Sequence, residues 1–182
     1  MIRRASPKYE NQIGVTLLEL LVAVAVLGIL AAIAVPNYGD YINRQRLVGA
    51  AEGVYSQLQL ARRAAVSNNK SVAFVVENIG SNTWCASFSE DTSLVCDDAF
   101  VTSSTSNKSS YVRGEDFSSS VILSSDSGLN YTQFSMPGLT VSGASSYTAS
   151  ISGFAAVEVA VGAGMQLSIC SNDLGRYQDC TP

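Results

Sequence analysis

Apolar residues are spread unevenly along this chain. From Val15 to Val35 it reads VTLLELLVAVAVLGILAAIAV, a run of 21 residues holding a single charge, Glu19. As a helix rising about 1.5 Å per residue, such a run spans roughly 30 Å, the hydrocarbon thickness of a bilayer. A membrane-crossing helix over residues 15–36 is the first expectation. Pro36, with Gly28 upstream, marks where that helix can bend or lose hydrogen bonds, because proline has no N–H and crowds the preceding turn.

After Pro36 the pattern turns amphipathic. Leu47, Ala51, Val54, Leu58, Ala61 and Ala65 recur at alternating steps of four and three, while Arg44, Arg46, Glu52, Gln59, Arg62 and Arg63 mostly fall off that stripe. The helix is therefore expected to continue to about Val66 and to end at Ser67-Asn68-Asn69, giving an amphipathic helix over 37–69. Short β-branched and aromatic runs follow at Val72–Glu77, Trp84–Ser89, Val121–Ser124, Tyr131–Ser135, Tyr147–Ser152, Val157–Val161 and Gln166–Cys170. They predict an antiparallel sheet packed on the helix, an α+β head over 37–182. Polar connections at Thr102–Ser110 and Ser124–Gly128 are expected as exposed loops.

Charge sorts the chain into the same parts. The net charge is −4, but Arg3, Arg4 and Lys8 outnumber Glu10 in the first fourteen residues, so the remainder stands at −6. From Ser71 onward three cations, Lys108, Arg113 and Arg176, face eleven acids, a net −8. Such a surface repels a phosphate backbone, since nucleic-acid affinity depends on Lys and Arg displacing counterions. The basic leader is expected to stay cytoplasmic, which sends the rest of the chain outward. The apolar run is longer than the roughly 7–15 residues of an ordinary secretory signal. Glu19 asks for more than a plain anchor, because a carboxylate in the bilayer interior costs a few kcal/mol, about 2.5–3.5 on insertion scales, unless it is paired. No Lys or Arg lies near it in the chain, so its partner must come from another molecule. Cutting the leader after Gly14 would create that partner, the α-amino group of Val15 on a neighbouring copy.

Four cysteines, Cys85, Cys96, Cys170 and Cys180, all follow the apolar run and form two sequence-local pairs. That usage suits an oxidising compartment and two disulfides, Cys85–Cys96 and Cys170–Cys180. The cross-pairings Cys85–Cys170 with Cys96–Cys180, and Cys85–Cys180 with Cys96–Cys170, stay open, because spacing alone does not set connectivity. Ten and nine intervening residues within the pairs, and no histidine anywhere, are unlike the knuckles of zinc sites. The acid pairs Glu90-Asp91 and Asp97-Asp98 lack the alternating oxygen ligands of a calcium loop. No metal or other cofactor is expected. Without histidine or a phosphate-cradling Gly/Lys loop there is no nucleophile and base to nominate, so the chain is not read as an enzyme.

The stretch Gly14-Val15-Thr16-Leu17-Leu18-Glu19-Leu20-Leu21, then Gly28-Ile29-Leu30-Ala31-Ala32-Ile33-Ala34 and Pro36, closely resembles the signal of type IV pilins and type II secretion pseudopilins. The resemblance implies the pilin fold, a long N-terminal helix laid on an antiparallel sheet. It also implies removal of leader 1–14 by a prepilin peptidase after Gly14, N-methylation of Val15, and assembly through Thr16, Glu19 and a stretch around Pro36 that partly melts. Val15 stands where the family usually has Phe. Other pilin subunits, the prepilin peptidase, the inner-membrane assembly platform and inner-membrane lipid are the implied partners. The implied location is a single-pass inner-membrane precursor with its head in the periplasm, then a pilus or pseudopilus reaching toward the cell surface.

Leu58 to Lys70, Thr83-Trp84-Cys85, Phe134-Ser135-Met136-Pro137-Gly138 and Ile169 to Arg176 look like minor pilins of the FimT kind and the minor pseudopilin GspH. A minor pilin of a type IV pilus is the leading expectation, and a minor pseudopilin of a type II secretion system is the alternative. Some FimT-like proteins bind DNA through a Gly-Arg-x-Arg loop. This chain reads Gly175-Arg176-Tyr177-Gln178 and lacks the second arginine, while Asp173 and Asp179 flank the site. Arg176 and Tyr177 are thus a DNA contact on the weaker reading and a structural turn on the stronger.

Overall fold

The computed structural model describes residues 15–89, 111–118 and 120–180, without the side chains of residues 33–37. The chain divides into two compact units, Met1–Asp40 and Tyr41–Pro182. One helix, α1 (Leu17–Asn68), begins in the first unit, is unbroken at Pro36, and ends in the second.

Within the first unit the large side chains of α1 from Leu17 to Leu30 are half or more exposed, Leu17 at 80%. Among the described residues no helix is long and apolar enough to cross a membrane. The apolar run can be followed side chain by side chain only to Ala32.

In the second unit the expected stripe is the core. Leu47, Ala51, Val54, Leu58, Ala61 and Ala65 are completely buried. The helix ends where two asparagines stand, because Asn69 adopts a left-handed φ of 49°. The Lys70 N–H then donates back to the Ala65 carbonyl at 3.2 Å, a helix stop that asparagine tolerates better than most residues.

Among the described residues the stripe shares its core with residues from a set of nine strands. They are β1 (Val72–Glu77), β2 (Cys85–Ser89), β3 (Val112–Arg113), β4 (Val121–Ser125), β5 (Tyr131–Ser135), β6 (Thr140–Gly143), β7 (Ser146–Ile151), β8 (Ala155–Gly162) and β9 (Gln166–Cys170). They form two antiparallel sheets, ordered β3-β2-β1-β5-β6 and β4-β7-β8-β9, where the sequence pattern suggested one. A period of two reveals which side chains face inward, but it does not say which strands are neighbours. β1 is buried on both faces, from Val72 to Val76. β8 alternates, with Ala155, Val157, Val159 and Val161 inward. The sheets meet where Phe74 of β1 packs edge-on against Tyr147 of β7, ring centres 5.0 Å apart. The Tyr147 hydroxyl lies 3.0 Å from that of Thr132, which donates to the Ala144 carbonyl.

β4 is the outer strand of the second sheet. Its Val121 carbonyl accepts from the Trp84 indole at 3.2 Å, and its Leu123 carbonyl accepts from the Gly80 N–H at 2.7 Å. Gly114 starts a 3-10 turn (Gly114–Asp116) against the same tryptophan. A Cβ there would lie 2.5 Å from the indole nitrogen, so only glycine allows the approach.

Candidate assembly site

The first described residues build a capped helix start. Thr16 precedes α1, its hydroxyl accepting from the Glu19 N–H at 3.2 Å and its carbonyl from the Leu20 N–H at 3.2 Å. A threonine side chain serves this way because the first turn's N–H groups have no carbonyl upstream. Glu19 is then the third helical residue and is exposed. A carboxylate in a helix's first turn is favoured by about 0.3–1 kcal/mol through the backbone dipoles. Val15, 71% exposed, lies just before the cap. The structure thus brings Val15, Thr16 and Glu19 together at one end of α1. Gly14 lies outside the described residues, as does the side-chain packing of Pro36.

Cys170 and Cys180 are joined, their Cα atoms 4.9 Å apart, which rules out both cross-pairings. Cys85 is also disulfide-bonded; its expected partner, Cys96, lies outside the described residues. So do Lys108 and the acid pairs Glu90-Asp91 and Asp97-Asp98. The Glu158 carboxylate lies close to the Cys170 and Cys180 sulfurs, but bonded sulfurs offer no thiolate to a metal.

The Cys170–Cys180 disulfide closes a tightly bonded loop. The Ser171 hydroxyl donates to the Ala156 carbonyl at 2.6 Å and accepts from the N–H groups of Asp173 and Leu174. Asp173 accepts from the Ala156 N–H at 3.0 Å, and Leu174 is buried. Arg176 and Tyr177 both turn toward α1. The guanidinium sits 3.0 Å from a Glu52 oxygen, and the phenol donates to the same oxygen at 3.2 Å. Partial burial, and then the Glu52 charge, push the Tyr177 phenol above its ordinary range, with Arg176 opposing. The two residues the sequence raised for a DNA contact both bond Glu52 of α1, with the Arg176 side chain still 61% exposed. Sequence reasoning missed Glu52 as their anchor. The available signal was that it is the lone acid between Tyr41 and Lys70.

Residues 50–175 match the family described as type II transport protein GspH. The chain belongs to the GspH family. Residues 10–35 match the prokaryotic N-terminal methylation motif, which places this GspH-family chain in the type IV pilin and pseudopilin superfamily. A fimbrial protein of Pseudomonas aeruginosa is 44% identical over 63 residues, 35% of this chain and 40% of that protein. The type IV major fimbrial protein FimA of Dichelobacter nodosus is 58% identical over 43 residues, 24% of this chain and 25% of FimA. The chain thus matches well under half the length of these curated relatives. Among solved structures, the type IV minor pilin FimU of P. aeruginosa covers 71% of this chain and 91% of its own, with a TM-score of 0.52 at 16% identity. That likeness shows a shared pilin fold.

Proposed function

We propose that this GspH-family chain is a minor subunit of a type IV pilus, made as a membrane-held precursor and assembled through the first half of α1. Residues 1–14 are the leader that a prepilin peptidase removes after Gly14. Residues 15–36 are the membrane and assembly helix, and residues 37–182 are the head. The observation that carries this reading is the start of α1, where exposed apolar side chains surround one carboxylate, Glu19, four residues beyond the amine that cleavage would free on Val15. Four residues are about 6 Å of helix. A neighbour shifted by one turn therefore sets its Val15 amine, N-methylated in the mature chain, beside Glu19, each charge supplying what the other lacks in an apolar setting. The partners are other pilin subunits, the peptidase, the assembly platform and inner-membrane lipid. The chain does no chemistry itself and serves as structure.

The test is the intact mass of the protein from membranes and from sheared surface filaments, reduced and nonreduced. A mass for Val15–Pro182 plus one methyl and minus four hydrogens, present in the filament fraction, is the expected result. An uncut mass beginning at Met1, confined to membranes of peptidase-competent cells, overturns the proposal.

The family's description as a type II transport protein favours one second reading, a minor pseudopilin of a secretion system. The same mass would then appear in a short periplasmic pseudopilus and be absent from surface fibres.

A further inference from the structure

Four exposed arginines of α1, Arg44, Arg46, Arg62 and Arg63, have no carboxylate partner among the described residues. Arg46 donates to the Asn43 amide at 3.5 Å, and Arg63 to the Gln59 amide at 3.2 Å. The helix's one acid in this unit, Glu52, is taken by Arg176. Near the helix's end, Gln59, Arg62, Arg63, Val66 and Ser67 line an open groove of about 590 Å³, with Val66 50% exposed. An exposed aliphatic side chain flanked by two arginines and an amide has the composition of a protein interface, where arginine is enriched and apolar atoms fill the centre.

The rest of the head is acidic. Residues from Ser71 onward carry a net −8, and the adjacent Glu115 and Asp116 are exposed without an ion pair among the described residues. A basic helix face on a chain whose remainder is net acidic is complementary to further copies of such a fold, and a contact between unlike surfaces repeats from copy to copy rather than closing into a two-fold dimer. We infer that the Gln59–Arg62–Arg63–Val66 groove is the docking surface for an acidic face of an adjacent pilin-fold subunit. Nucleic acid fits less well. Its affinity grows with the number of phosphates neutralised, and two groove arginines beside a stretch that is net −8 from Ser71 onward neutralise few. This inference rests on the filament reading.

The experiment uses the full chain in peptidase-competent cells. Arg62→Glu with Arg63→Glu is compared with Arg62→Lys with Arg63→Lys and with wild type, at equal membrane abundance. Charge reversal is expected to lower recovery in sheared filaments about tenfold or more, the effect of losing about 1.4 kcal/mol of docking free energy. The lysine pair is expected to stay within about threefold of wild type, because it keeps the charge. A photoreactive phenylalanine analogue at Val66 is expected to cross-link to an Asp/Glu-containing segment of another pilin-fold subunit. Equal recovery of the reversed variant, or a cross-link only to lipid or nucleic acid, overturns the docking inference while leaving the filament reading standing. Absence of the wild-type chain from all filaments overturns both.

Discussion

Glu19 occupies the third position of α1, held there by the Thr16 cap, and its meaning depends on its solvent. In water it adds modestly to the helix start; in an apolar setting it must find a cation. Glu19→Gln keeps the size and loses the charge. Leader removal, read by intact mass, is expected to be unchanged, while recovery in sheared filaments falls at least about tenfold, a modest share of the roughly 3–5 kcal/mol lost when one partner of a buried ion pair is removed. Tyr147 is the buried counterpart. Burial pushes its phenol well above the ordinary value, the Asp126 charge adds to the rise, and the Thr132 hydroxyl opposes it. The unfolded chain releases that proton near pH 10, while the folded chain holds it well above that pH. The contribution to stability is therefore complete below about pH 10 and declines as pH rises further. Tyr147→Phe is expected to cost about 1 kcal/mol at neutral pH, from the lost hydrogen bond, and to flatten the alkaline fall in stability. Denaturant midpoints of the full chain at neutral and alkaline pH check both effects.

Between elements, the contact that matters is a helix holding a loop from the far end of the chain. Glu52 of α1 accepts from both Arg176 and Tyr177. Both donors are partly exposed, so Glu52→Gln is expected to cost under about 1 kcal/mol. Amide exchange at Arg176–Gln178 is expected to speed up, and the Tyr177 phenol to move back down toward its ordinary value, read by ultraviolet titration. This contact also shows what the sequence could and could not yield. The α1 stripe was legible because each of its members repeats the same physical demand, burial on one face, and six such positions leave little choice of element. β3 and β6 were not. β3 is two residues long, and β6, Thr140–Gly143, buries none of its residues, so neither leaves a hydrophobic period. Glu52 was visible as an unusual acid, but its partners lie 124 and 125 residues away, and only the folded sheets decide which loop arrives there.

At the scale of the whole molecule, the subunit joins an apolar helix start, a basic helix face and an acidic head. The Cys170–Cys180 loop ties the chain's last described residues onto that head. Its short span limits what the bond can contribute, about 2–3 kcal/mol by the chain-entropy argument. Cys170→Ser with Cys180→Ser is expected to lower head stability by that amount and leave leader removal unchanged, as measured by denaturant midpoint and intact mass. The charge division between helix and head also predicts that subunit contacts through the arginine groove weaken with added salt, since exposed pairs are screened over about 10 Å at 0.1 M.

The outer edge of β4 is closed by Trp84 and Gly80, and the chain beyond β9 folds back so that Gln178 bridges to Cys170. The first sheet's outer strands, β3 and β6, have only two and four residues. Molecules that polymerise for a living crowd together at concentrations where a long open edge would recruit strands sideways and knit copies into cross-β aggregates. Among the described residues the sheet edges are short or occupied, which guards against that sideways recruitment when copies are crowded.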